Sequence, residues 1–74
     1  MVTLCSKPGC PPCKATKREL DKLGLEYQQV DVTADPSAAE VVKALGYNSA
    51  PVVVVNADLH WTGFRPTQLA LLGE

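Results

Sequence analysis

The feature that most limits how this chain can fold is a helical stripe set between two short strand-like runs. Cys13, Thr16, Leu20 and Leu23 recur at steps of three and four, the spacing that places side chains on one face of an α-helix. Val2-Thr3-Leu4-Cys5 precedes this stripe, and Leu25 to Val32, with Tyr27, Val30 and Val32 as its apolar content, follows it. Two strands joined through a helix run parallel, with a right-handed crossover. The helix is expected from about Pro11 to Leu23. Proline is tolerated in a first turn, where the missing N–H has no intrahelical partner, and Gly24 supplies a left-handed stop.

The remaining elements follow with short connections and no internal repeat, low-complexity tract or linker. Asp35-Pro36 has the form of a helix start, with Asp35 as N-cap and Pro36 in the first helical position. Ala38, Val41, Val42 and Leu45 give the apolar stripe of that helix, and Gly46 ends it. Val52 to Val55, a run of four valines, suits a central strand buried on both faces. Asn56-Ala57-Asp58 is a turn, Leu59 to Thr62 returns as an antiparallel strand, and Pro66 to Leu72 is a final short helix. The predicted order is β-α-β-α-β-β-α, an α/β chain with a four-stranded mixed sheet and three helices. It resembles the thioredoxin/glutaredoxin fold in its minimal form. At 74 residues the expectation is a single domain spanning 1–74, which buries only about 60% of its unfolded surface.

Composition narrows the function classes. Formal net charge is −1, and no cluster of lysine or arginine marks a nucleic-acid or anionic-membrane surface. The longest apolar run, Pro51 to Val55, is far too short to span a bilayer. Met1 leads straight into Val2-Thr3-Leu4, leaving no room for a signal peptide, so a cytoplasmic location is expected. Three cysteines are an odd count, too few for a disulfide-stapled secreted domain. In a reducing compartment paired cysteines serve catalysis or metal binding more often than structure.

Cys10-Pro11-Pro12-Cys13 places two cysteines two residues apart, between a strand and a helix, which is the layout of a thiol–disulfide redox site. A free cysteine, with a pKa of about 8.5, is mostly protonated at neutral pH, whereas a helix N-terminus favours the thiolate. Cys10, just before the helix, is expected to be solvent-accessible and to attack a substrate disulfide. Cys13, one turn in and on the core-facing stripe, is expected to be more buried and to resolve the mixed disulfide. Pro11 and Pro12 have no N–H to donate to the Cys10 sulfur. The nearest backbone donor is therefore at Cys13, with Lys7 as a further source of positive charge.

Metal readings compete with this one. Structural zinc usually takes four ligands, and His60 is the sole histidine. Cys5, Cys10 and Cys13 have the spacing of the first three ligands of a plant-type iron–sulfur site, but no fourth cysteine exists and Cys5 falls in a strand. No metal site is assigned, and Cys5 reads as a small core residue. Two further stretches stand out. Ala50-Pro51 before the valine strand is either an ordinary trans loop or a cis bond that presents the Ala50 main chain to an extended substrate. Trp61 and Phe64 are either core residues of a domain with few aromatics or a partly exposed docking patch.

Taken together, Cys5-Ser6-Lys7-Pro8-Gly9-Cys10-Pro11-Pro12-Cys13 resembles the glutaredoxin active-site segment, and Ala50-Pro51-Val52-Val53 resembles the cis-proline segment of that superfamily. The tail Trp61-Thr62-Gly63-Phe64-Arg65-Pro66 is similar to that of one branch, the NrdH-redoxins. The resemblance covers nearly the whole chain. It implies a disulfide reductase that needs no bound cofactor. Its electrons come from NADPH through thioredoxin reductase and pass to the large subunit of class Ib ribonucleotide reductase. It also implies Cys10 as nucleophile, Cys13 as resolving thiol, and Lys7, Pro11 and Pro12 as the redox loop. Ala50 and cis Pro51 become the substrate ledge, and Trp61, Thr62, Gly63, Phe64 and Arg65 a partner-docking segment on a monomer. Glutathione-using glutaredoxins carry a Gly-Gly-x-Asp-Asp type segment where this chain has Trp61 to Arg65 and no acidic pair, so a glutathione-dependent dithiol glutaredoxin is the alternative. A cysteine-ligated metal-binding module is the non-enzymatic rival. Two residues depart from the family pattern: Pro12, at a position that is usually more varied, and Cys5, where relatives often have tyrosine or threonine.

Overall fold

A computed structural model describes residues 2–73 of the protein. Its elements are β1 (Val2–Ser6), α1 (Pro11–Lys22), β2 (Tyr27–Asp31), α2 (Pro36–Ala44), β3 (Val52–Asn56), β4 (Leu59–Thr62) and α3 (Pro66–Leu72). This is the β-α-β-α-β-β-α order of the thioredoxin/glutaredoxin fold. The four strands form one sheet in the order β2-β1-β3-β4. β1 and β2 are parallel, from Val2 opposite Tyr27 to Ser6 opposite Asp31. β3 runs antiparallel to both neighbours, with Leu4 opposite Val53 on one side and Trp61 opposite Val53 on the other.

Two helices end by the same device. Leu23 is the C-cap of α1, and Gly24 follows with φ +70°; the Gly24 N–H donates to Asp21 O and the Leu25 N–H to Leu20 O, each at 3.1 Å. At the end of α2, Gly46 has φ +88° and donates to Lys43 O at 2.9 Å, and the Tyr47 N–H donates to Val42 O at 3.1 Å. This double hydrogen bond after a left-handed residue is the Schellman stop, which a Cβ would disfavour. It also explains a difference from the predicted span of β2. Leu25 belongs to the α1 exit, because its N–H is committed to Leu20, so the strand begins only at Tyr27. At the start of α2 the Asp35 carboxylate accepts from Ser37 N–H at 3.0 Å and Ala38 N–H at 3.3 Å, capping the helix as its sequence implies.

The sheet alternates its side chains between two apolar clusters. Val2, Leu4, Val53 and Trp61 meet Leu20 of α1 and Leu69 of α3 on one face. Cys5 and Val52 meet Val42 of α2 on the other. Val52 and Val53 are both fully buried, one in each cluster, as expected for the central strand. In α2 only Ala38 and Val42 are buried; Val41, one step off that line, is 48% exposed, so the expected four-residue stripe narrows to two.

Trp61 corrects the docking expectation. It is 6% exposed, packed among the core residues of the α1/α3 face, and its indole Nε1–H has no hydrogen-bond partner among the described residues. Phe64, three residues on, is 40% exposed. β4 pairing turns Trp61 inward with Val53, while Phe64 lies past the strand end and is free to face solvent. Trp61→Ala is therefore expected to cost about 3–5 kcal/mol of stability in a denaturant titration. Phe64→Ala is expected to cost under about 1 kcal/mol, and equal costs would show that Trp61 is not a core residue.

Candidate active site

The site starts where β1 ends. Ser6 is buried, and its hydroxyl donates to Val30 O at 3.3 Å while accepting from Gln29 Nε2 at 3.1 Å, which fixes the strand end against β2. Residues 7–9 turn outward and Cys10 becomes the N-cap of α1, with φ −112° and ψ 100°. Its carbonyl accepts the first intrahelical bond from Lys14 N–H at 3.1 Å. Its Sγ accepts the Cys13 N–H at 3.2 Å. An N-cap side chain takes its hydrogen bond from the second or third helical residue. The second is Pro12, which has no N–H, so Cys13 is the donor that remains.

Cys10 and Cys13 are joined in a disulfide, with Cα atoms 5.2 Å apart. Both are 4% exposed, which corrects the expectation that Cys10 is open to solvent and Cys13 the more buried of the two. In this bonded state the Cys10 sulfur lies against Cys13 at the helix start. Pro11 and Pro12 are exposed beside it. Thr16, fully buried in the next turn, donates its hydroxyl to Pro12 O at 2.8 Å and ties the redox turn to the helix core.

Two grooves share Lys7, and one of them is lined by the redox turn. One, of about 330 Å³, is lined by Ser6, Lys7, Cys10, Cys13, Lys14 and Lys17 among others. The other, of about 250 Å³, has Cys5 and Val52 in its apolar lining and Lys7, Lys43, Ser49 and Ala50 also around it. Lys7 is exposed and belongs to both.

The Ala50–Pro51 peptide bond is cis, and Pro51 is buried. The segment is held by the residues after β4's aromatic. Thr62 Oγ1 donates to Pro51 O at 3.1 Å, and the Gly63 N–H donates to the same oxygen at 2.8 Å. Thr62 and Gly63 thus support the proline ledge from behind. Arg65 is exposed, caps nothing with its side chain, and donates Nε–H to Thr62 O at 3.2 Å. Neither Phe64 nor Arg65 lines either groove.

Sequence reasoning missed two supports. Tyr47, directly after the α2 stop, places its hydroxyl 2.8 Å from His60 Nδ1 and donates to His60 O at 3.3 Å, anchoring the loop that leads to Pro51 on β4. Lys14 and Lys17 face the groove beside the disulfide. An exposed residue one to four positions after a redox turn gives no sequence signal of which way it points. Among the described residues no three His, Cys, Asp or Glu side chains converge as a metal site would need. The third thiol, Cys5, lies in the α2-side core, where burial pushes its pKa up.

Comparison with known proteins bears on this geometry. The Glutaredoxin family model matches residues 2–60. The glutaredoxin-like protein NrdH of Escherichia coli is 37% identical over 68 residues, covering 92% of this chain and 83% of that protein. The Lactococcus lactis glutaredoxin-like protein NrdH is 35% identical over 72 residues, covering 97% and 99%. The structure of the NrdH-redoxin from Escherichia coli, a glutaredoxin-like protein with a thioredoxin-like activity profile, superposes with a TM-score of 0.89 at 37% identity, over 96% of this chain and 92% of that one.

The three thiols should separate by reactivity. After reduction, iodoacetamide at neutral pH is expected to label Cys10 first, because its sulfur sits on the helix start. Cys5, buried and held protonated, stays unlabelled until the protein is unfolded. Peptide mapping that found Cys5 labelled as fast as Cys10 would contradict this placement.

Proposed function

This chain belongs to the glutaredoxin family, in its NrdH-redoxin branch, and on that footing we propose that it donates electrons to the large subunit of class Ib ribonucleotide reductase. The chain is a thiol–disulfide oxidoreductase. In the proposed cycle the reduced Cys10 thiolate attacks one sulfur of the substrate disulfide, and the other leaves as a thiol after taking a proton. The Cys13 thiol then loses its proton, attacks Cys10 Sγ and expels the second substrate thiol. The substrate gains two electrons and two protons, and the protein is left with the Cys10–Cys13 disulfide. A flavoprotein thioredoxin reductase restores the dithiol with electrons from NADPH, so the protein works without a cofactor of its own.

The Ala50 main chain, on the ledge made by Pro51, receives the extended substrate in strand fashion beside the dithiol. Lys7 lends positive charge to the leaving and attacking thiolates. Phe64 and Arg65 supply the exposed docking contacts of the tail; Thr62 and Gly63 position the ledge, and Trp61 acts through the core. The cycle runs in the cytoplasm. No described helix is long and apolar enough to cross a membrane.

The observation that carries the choice of electron donor is the start of α3. Its first turn holds no acidic residue, and its N-cap is Arg65. In glutathione-using glutaredoxins an acidic pair in this segment holds the γ-glutamyl end of the tripeptide. Here that amine would be left unpaired, at a cost of about 1–3 kcal/mol or roughly five- to a hundredfold in affinity.

A coupled assay tests this directly. NADPH oxidation is followed with a disulfide substrate, and with either thioredoxin reductase or glutathione plus glutathione reductase. Turnover is expected with thioredoxin reductase and to be far weaker with glutathione. Turnover only in the glutathione arm would overturn the assignment.

A further inference from the structure

Charge is distributed unevenly over this nearly neutral chain. Four of the five lysines, Lys7, Lys14, Lys17 and Lys43, line two grooves that share Lys7, one of which is also lined by both disulfide cysteines. The one acidic residue lining either groove is Asp31. Its carboxylate is turned into its own chain, accepting the Thr33 N–H at 2.8 Å and the Thr33 hydroxyl. The groove walls therefore carry a formal +3. The remaining three cations and seven carboxylates make the rest of the chain −4, which restores the overall −1.

Little inside the molecule neutralises this positive track. The one ion pair among the described residues joins Lys17 to Asp21 at 3.1 Å, and both side chains are largely exposed. Lys7, Lys14 and Lys43 have no carboxylate partner among the described residues. Lys7 lines both grooves, so the two adjoin there as a positive track, with Cys10 and Cys13 on one side of Lys7 and Ala50 on the other.

We propose that this track is a docking surface for an extended acidic segment of a partner protein, the segment that carries the disulfide to be reduced. The inference rests on the disulfide-reductase reading and names its substrate class. Charge complementarity is the argument. A +3 track on a −1 protein draws in a negatively charged segment and turns away a positive one, and it does so at the place where the sulfur must be delivered. The apolar lining from Cys5, Val42 and Val52 offers the same segment a seat for one uncharged side chain. Because the lysines are exposed, the attraction is screened by salt.

The test uses the full-length protein, reduced beforehand and freed of reductant, so that no reductase partner is involved. The rate of Cys10–Cys13 oxidation is measured with four disulfides: a peptide disulfide flanked by glutamates, the same peptide flanked by lysines, the neutral 2-hydroxyethyl disulfide, and oxidised glutathione. At low ionic strength the glutamate peptide is expected to react at least about tenfold faster than the lysine peptide, and the gap is expected to shrink as salt is added. K14E combined with K43E is expected to close or invert the gap. K22E, on α1 but lining neither groove, is expected to leave it as it is.

Equal rates for the two peptides, or a gap that neither salt nor K14E/K43E alters, would overturn the acidic-segment proposal while leaving the reductase reading in place. Faster oxidation by glutathione disulfide than by the glutamate peptide, with the same lysine dependence, would overturn it in favour of a small anionic ligand. Failure of all four disulfides, the neutral one included, would overturn the reductase reading as well.

Discussion

The hydrogen bond from the Cys13 N–H to the Cys10 sulfur, 3.2 Å long, is the interaction on which the site depends. It makes one side chain both the N-cap of α1 and, in the proposed cycle, the attacking group. A helix must start at residue 10 for this to work, and several features force it to. β1 ends at Ser6, pinned to β2 by the Gln29–Ser6–Val30 hydrogen bonds. Two consecutive prolines then fit only the first helical positions. Thr16 holds the Pro12 carbonyl from the turn above. The same prolines that fix the start also remove the donor that Pro12 would otherwise offer. The redox turn is thus well placed but sparsely supplied with thiolate donors.

The proline ledge depends on different forces. Its carbonyl is held by Thr62 and Gly63, its approach loop by Tyr47 on His60, and β4 itself by Trp61 in the core. The tail segment, similar to that of the NrdH-redoxins, therefore divides its labour along the chain. Trp61 is structural, Thr62 and Gly63 shape the ledge, and Phe64 and Arg65 remain at the surface.

Local chemistry explains why so much of the fold was legible in the sequence. Asp35-Pro36, Gly24 and Gly46 act through bonds to residues two to five positions away, so they mark their helix ends wherever the chain goes. The valine run of β3 gives one fully buried side chain to each face, Val52 and Val53, as an interior strand beside β1 requires. What was not legible depends on distant partners. Leu25 left β2 because its N–H is taken by Leu20. Val41 faces out because a nine-residue helix on this sheet buries only one line of contact. Trp61 turned inward because its register against Val53 fixes its face. The pairing of Cys10 with Cys13 was readable from spacing, but their equal burial, 4% exposed each, was not. The gathering of four lysines on two grooves that share Lys7 needs the folded chain, since Lys43 joins the other three only through α2.

The most direct measurement concerns the single donor to Cys10. Pro12→Ala restores an N–H at the second helical position, one of the two from which an N-cap side chain accepts. One added hydrogen bond to a charged group such as the thiolate is worth about 1.5–3 kcal/mol, so the thiolate-to-thiol ratio at a given pH is expected to rise roughly ten- to a hundredfold. Thiolate absorbance against pH, read in a background where Cys10 is the one reactive thiol, reports it. An unchanged or smaller thiolate fraction in Pro12→Ala would contradict the account.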